Sequence, residues 1–486
     1  MIHGGCMGMT VNRREGPTYC VLSEKKKDEI YMAALEVLRR TGIKVDVPEA
    51  LALLKKAGCW VDGDRVRIPP HLIDWAIRTA PRRVTLCDRE GNPALYLENG
   101  NSYYGTGGDC PIVIDPYTGE RRPGKLQDVV DYARVADTLP NIDFVLNMAI
   151  AQDCNQKISD LYHFEAMVNN TTKPLLYSAW NVETLKAIIE MCEVIAGGAE
   201  AFRRSPFAIL FGADVSPLKM TQEYTPLALY TAERGLPLIC APSEIAGGTA
   251  PVTLAGAMVQ GQAEILAMLL LVQLKREGTP FILSVCGPIP MDMFAMTASY
   301  ASPEFALTMG GMAEMTHYYG LPIFGFAGCS DSKCFDEQAS MEGALSLLVS
   351  GLSGANLIHD VGYIESGLTS CFEMLVVMDE MIGYVKRVLK GIEINAEALA
   401  LDVINRVGPG GEYLSDPHTY KYFRQNWVPE LLDRHSYGTW CEKGSLTLRQ
   451  RAHEKVLNIL KTYQAKHLDA GIHAKLSEII ARHKKN

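Results

Sequence analysis

Positive charge is scarce. The 47 Lys and Arg are outnumbered by 56 Asp and Glu, a formal net charge of −9. They are also scattered, apart from "EKKKDE" near the start and "RHKKN" at the end, which read as solvated termini. A nucleic-acid groove is therefore a poor reading. No clean membrane span is present either. Gln260, Gln262, Glu264 and Gln273 interrupt the most apolar helical stretch, residues 252 to 278, well short of what a bilayer core demands. The first residues, "MIHGGCMGMTVNRREG", lack the apolar core of a secretory signal. The 13 cysteines follow no regular spacing, so a disulfide framework is not indicated. Many lie in apolar runs, such as Cys240 in "LPLICAP" and Cys286 in "ILSVCGP", as reduced, buried thiols of a cytoplasmic protein do. No Gly-x-Gly-x-x-Gly follows an early strand, which weakens a dinucleotide-binding fold. Low-complexity segments are missing too.

What is present is a change of texture near residue 100. Before it, residues 24 to 42 carry Ile30, Ala33, Ala34 and Val37 at helical spacing, with a Gly at the stop. "PEALALLKKAG" and "PPHLIDWAIRTAP" continue as helices, and the Glu90-Gly91-Asn92 turn separates two extended runs. After it, short apolar runs alternate with helical patterns: "SYYGTG", "IDFVLNMAI", "PLLYSA", "FAILFGA", "LPLICAP", "PFILSVC", "LPIFGFAG" and "ANLIHDV". Each is followed by a helical pattern, the seventh over residues 334 to 350. Strands and helices in that number and order predict an α/β fold, a closed (β/α)₈ barrel. The expected division is an N-terminal helical unit with a strand pair (1–99), the barrel (100–391), and a C-terminal helical extension (392–486) folded back on it.

Barrel chemistry sits at the C-terminal ends of the strands. Those ends carry Tyr103, Tyr104, Asp109, Asn147, Gln152, Tyr177, Trp180, Asp214, Ser243, Glu244, Cys286, Cys329, Asp331, His359, Asp360 and Tyr363. Aromatic side chains stand out. Tyr103, Tyr104, Tyr177, Trp180 and Tyr363, ringed round a mouth, would cage a quaternary ammonium through their π faces; packing against the loops is the competing explanation. Gly247, Gly248 and Thr249 form a strand-end loop running into a helix. Its amides would suit a carboxylate or phosphate, although Thr249 as a cap with Pro251 in the first turn explains the same residues. Cys329 and Cys334, with His359 as a distant third ligand, make only a loose zinc set. In "AGCSDSKCFDEQA", Ser330 or Asp331 is placed to cap a helix beginning near Lys333, with Asp336 and Glu337 at its positive end. Asp331 lies closest to the strand and is kept as a site residue.

Two blocks, "GGTAPVTLAGAMVQGQAEILA" and "GCSDSKCFDEQASMEGALS", resemble the best-marked blocks of the trimethylamine methyltransferase family. "GPGGEYLSDPHTYKYFR", with the "W" and "PELLDR" that follow, resembles its C-terminal block. The likeness runs from about residue 25 to 465 and implies a barrel enzyme that moves a methyl group to the cobalt of a separate corrinoid protein. No pyrrolysine is written in this chain, so the resemblance points to the non-pyrrolysine branch, acting on quaternary amines such as glycine betaine, proline betaine or carnitine. At neighbouring strand ends, Asp331 and His359 are the catalytic candidates, Asp331 to balance the ammonium and His359 to donate a hydrogen bond to the substrate carboxylate. The substrate-binding set is then Tyr103, Tyr104, Tyr177, Trp180, Glu244, Gly247, Gly248, Thr249 and Tyr363. No metal or organic cofactor is expected on this chain, the corrinoid arriving with its partner. A homo-oligomer, a zinc-dependent methyltransferase for another small donor and a non-catalytic betaine-binding protein all stay open.

Overall fold

A computed structural model describes residues 16–242 and 244–484; Ser243 and the N-terminal cysteine-containing stretch lie outside the described residues. Eight parallel strands form the barrel. They are β1 (Tyr103–Thr106), β2 (Ile142–Phe144), β3 (Leu175–Tyr177), β4 (Ala208–Gly212), β5 (Leu238–Cys240), β6 (Phe281–Ser284), β7 (Ile323–Phe326) and β8 (Leu357–Val361). Neighbours run β3-β4-β5-β6-β7-β8-β1-β2. The ring closes where Val145 bridges Leu175: Val145 N–H donates to the Pro174 carbonyl and Leu176 N–H to the Val145 carbonyl, both at 3.0 Å. A closed ring leaves no unpaired edge.

Alternation decides which side chains meet inside. Phe324 and Phe326 of β7 point inward, their ring centroids 4.2 and 5.9 Å from His359 on β8, and Phe211 of β4 packs 5.2 Å from Phe324. Gly325 between them faces outward, where a Cβ would come 2.7 Å from the Ala355 methyl. The helices follow as the sequence predicts: α1 (Leu126–Thr138), α2 (Ser159–Asn170), α3 (Val182–Ala196), α4 (Thr225–Arg234), α5 (Leu254–Lys275), α6 (Pro303–Tyr319), α7 (Glu337–Ser353) and α8 (Phe372–Leu389). Two starts differ from expectation. Helix α7 begins at Glu337, capped by Asp336 accepting from Ala339 N–H at 2.9 Å, which frees Ser330 and Asp331 from capping. Helix α5 begins after Thr253, so Thr249 and Pro251 belong to the preceding loop.

The apolar α5 is long enough to cross a membrane, but 72% of its most apolar window is buried inside the protein. The barrel lies on one side of it. The helices Glu24–Glu36, Pro48–Lys56 and Pro70–Thr79 pack on it from the other. The hairpin Val84–Cys87 with Pro93–Leu97 lies near the base of the barrel. The C-terminal helices Leu448–Thr462 and Ala470–His483 return to the barrel, against α8 and α3 respectively. Buried Glu380 anchors that return by accepting from the N–H groups of Glu430, Leu431 and Leu432. At the mouth, the loop after β6 forms a hairpin, Ile289–Asp292 with Thr297–Ala298, which pairs with Ile245–Ala246 after β5.

Candidate active site

Three non-glycine residues at adjacent strand ends adopt left-handed backbone: Asp109 after β1 (φ 68°), Met148 after β2 (φ 56°) and Asp360 in β8 (φ 72°). Such strain costs of order 1–3 kcal/mol per residue and concentrates at functional sites. At β8 it coincides with a register shift between Ile358 and Val361. The shift breaks the alternation of side chains, so consecutive residues His359 and Asp360 reach each other, Nε2 to Oδ1 at 3.1 Å.

The protonation of this pair follows from its hydrogen bonds. His359 Nδ1 lies 2.8 Å from the Gly325 carbonyl, which can only accept, so Nδ1 carries the proton. Burial holds the imidazole neutral, with its pKa lowered to about 4. Nε2 is then an acceptor, and the contact with Asp360 is a hydrogen bond only if Asp360 is protonated. Its surroundings favour that form. Burial, reinforced by the charge of Asp109, pushes the Asp360 carboxyl well above the usual range. Asp109 itself is oriented by Asn147 Nδ2 at 3.0 Å and Ser178 Oγ at 3.2 Å, both donating.

Two phenols lie within electrostatic reach of this acid. Tyr363, almost fully buried, donates its hydroxyl to the Gly108 carbonyl. Gly107 is obligatory beneath it, since a Cβ there would sit 2.2 Å from the Tyr363 ring. Tyr300, in the loop after β6, packs edge-on against Phe326 at 4.8 Å. A Cβ on Gly367 would come within 3.1 Å of Tyr300 and 3.6 Å of Tyr363, so the two rings converge on one spot. Burial raises the proton affinity of both phenols and of the thiols Cys110, Cys286 and Cys329. Those thiols stay neutral and are poor nucleophiles. The arrangement brings together one buried acid, a second acid near it and two aromatic side chains.

The other candidates lie elsewhere. Tyr103 opens β1 at the base, its hydroxyl accepting from Tyr96 N–H at 3.2 Å. Tyr104 is fully buried but faces outward, towards Gly351 and with Lys386 5.8 Å above its ring. Tyr177 packs against Phe164 of α2. Trp180 is half exposed on the rim and donates to Ser159 Oγ. Of the five predicted cage aromatics, only Tyr363 stands near the acid: alternation turns Tyr104 to the outer face of the wall, Tyr103 lies at the base and Trp180 on the rim.

The Gly247, Gly248 and Thr249 amides are consumed within their own turn, donating to Ala250 and Ile245 carbonyls. Glu244 is buried in the β5–β6 wall, against Gly287 and Gly261, and neither of its oxygens has a donor. Burial and the neighbouring Glu264 push its carboxyl well up, which suits a neutral acid donating to Glu264. Asp331 accepts four bonds from loop donors, which leaves its carboxylate fully engaged. Cys329 is buried and Cys334 exposed beside Asp336. Among the described residues, no three His, Cys, Asp or Glu converge as a metal ion would require.

Against known proteins, the model of the trimethylamine methyltransferase (MTTB) family matches residues 6–486. The chain belongs to the trimethylamine methyltransferase family. Relatives in this family include the trimethylamine methyltransferase MttB of Desulfitobacterium hafniense strain DCB-2, 32% identical over 97% of this chain and 95% of its own. A glycine betaine methyltransferase from D. hafniense strain Y51 is 30% identical over 96% and 97%. The solved monomethylamine methyltransferase (MtmB) of Methanosarcina barkeri superposes over 93% of this chain and 97% of its own, with TM-score 0.46 and 11% identity. The chain is a methyltransferase of this family.

Proposed function

We propose that this enzyme takes a methyl group from a quaternary amine, a betaine such as glycine betaine, and delivers it to a separate corrinoid protein. The observation that carries the reading is Asp360: a buried acid with His359 as its hydrogen-bond partner and two aromatic side chains nearby. A full positive charge that cannot be deprotonated would stabilise ionised Asp360, and Asp109 adds to the attraction. Tyr300 and Tyr363 would face the ammonium methyls, a contact worth roughly 2 kcal/mol when desolvated. A Co(I) corrinoid on the partner would supply the electron pair that takes the methyl.

The C–N bonding pair stays with nitrogen, so the leaving group is a neutral tertiary amine and no acid need protonate it. This chain's residues have only to strip water from the cation, balance its charge and aim one methyl outward. The neutral, acceptor-only Nε2 of His359 orients protonated Asp360 in the empty site, and that hydrogen bond is given up when Asp360 ionises. In this tautomer it does not donate to a substrate carboxylate, so the ammonium head is the part of the substrate the site recognises. Twelve described cysteines are all free thiols, in keeping with a reducing cytoplasm, where Co(I) survives. The reading is tested by titrating the isolated protein calorimetrically with glycine betaine, carnitine and trimethylamine, then assaying methyl transfer to reduced corrinoid protein. Binding of trimethylamine with no binding of any betaine would overturn it.

A further inference from the structure

The most fully bonded carboxylate near the mouth is Asp331, and what it holds is a loop. Its Oδ2 accepts from Ser299 Oγ at 2.7 Å and Ala301 N–H at 3.2 Å, while Oδ1 accepts from Tyr300 N–H at 2.9 Å and Ser366 Oγ at 2.8 Å. Three of these four donors are consecutive residues of the β6–α6 loop, and the middle one is Tyr300. The clamp is itself held. Glu342 on α7 accepts from Asp331 N–H at 2.9 Å and from Ser330 Oγ at 2.5 Å, and Gln338 donates to Glu342 at 2.8 Å. The loops after β7 and β8 are joined by Glu365 N–H to the Ser332 carbonyl and Ser366 N–H to the Ser330 carbonyl. A hydrogen-bonded chain therefore runs from helix α7 through Asp331 to the backbone of Tyr300.

We infer that Tyr300 is a substrate-contacting wall of the cation site and that Asp331 is its positioning residue, acting on the substrate only through that loop. The inference rests on the quaternary-amine reading and deepens it. A carboxylate is suited to the task because all four partners are donors. Asparagine would turn an NH₂ group towards at least one of them, leave that donor unsatisfied and loosen the loop. The ring would then lose its fixed place against Phe326, near Asp360.

The test is a double-mutant cycle on Tyr300→Ala and Asp331→Asn, read as glycine betaine and tetramethylammonium affinity of the isolated protein, with Ser366→Ala as a milder break in the clamp. Tyr300→Ala is expected to weaken binding about 30-fold, the equivalent of roughly 2 kcal/mol, and Asp331→Asn about 10-fold. In the double variant the loss should equal that of Tyr300→Ala alone, because residues acting through one another are not additive. Hydrogen exchange should quicken at residues 299–301 in Asp331→Asn and Ser366→Ala, while a distant element such as α3 keeps its protection. Additive losses would overturn the positioning role, as would unchanged exchange at 299–301. Wild-type affinity in Tyr300→Ala would overturn the contact. If neither probe binds the wild type, the quaternary-amine reading falls and the inference with it.

Discussion

The ends of β7 and β8 each carry an aspartate, and the two are opposites. Asp331 follows β7 and has four donors around its two oxygens. Asp360 lies in β8, on strained backbone, with His359 as a hydrogen-bond partner that can only accept when neutral. A carboxylate with every acceptor position occupied has no capacity left for a ligand and works as a structural tie. A buried carboxylate without donors is costly to ionise until a cation arrives. Position at a strand end marks both residues; the local donor count separates them.

The sharpest way to break this comparison is Asp360→Asn. Quaternary-amine affinity should fall at least about 100-fold, since removing one partner of a buried charge pair costs roughly 3 kcal/mol or more. Stability should move the other way. The folded pKa of Asp360 is raised, so its contribution to stability is fully present below the unfolded value and is lost as pH rises through the folded value. Asparagine carries no such pH dependence, so thermal melts of Asp360→Asn should match wild type in acid and exceed it towards high pH. A variant that binds normally, or that melts lower across the range, would erase the distinction.

Next in size comes Gly107→Ala. The added methyl would displace the Tyr363 ring, and affinity should drop about 10-fold through the lost ring contact, with smaller effect on folding. Asp331→Asn should reverse the pattern of Asp360→Asn, lowering unfolding free energy by about 2 kcal/mol for its unsatisfied donors. Denaturant melts measure it, and an unchanged midpoint would contradict the structural role. The smallest effect is expected at Trp180→Ala, whose ring sits on the outer rim: calorimetric affinity within about twofold of wild type, given that an exposed ring contributes little to cation binding. A large loss there would move the site to the rim.

The barrel itself was legible because each strand is a short apolar run bounded by turn residues, and each helix has its own period. Helix α3 shows the punctuation, with Asn181 capping one end and left-handed Gly197 closing the other. The site was legible only as a list of strand ends. Which of those residues face inward depends on pleat and register, and these are fixed by partners distant in sequence. Tyr104 looks like Tyr363 in the sequence, but alternation turns it towards α7 and α8. Asp360 was visible at the end of "ANLIHDV", yet the register shift that brings it to His359 leaves no residue signature, since neither neighbour is a turn-former until Gly362. Tyr300 gave no signal at all. It follows a hairpin inserted after β6, and only the Asp331 clamp, made across 31 residues of chain, shows that it returns to the mouth.

On the proposed mechanism, Asp360 holds a proton in the empty site and gives it up when the ammonium binds. Titrating the protein with glycine betaine in two buffers of different ionisation enthalpy, between about pH 5 and 8, counts protons exchanged per ligand bound. Uptake of the cation should release close to one proton at the acid end, with affinity rising with pH and no release in Asp360→Asn. Binding with no proton released at any pH, and equal affinity throughout, would contradict it.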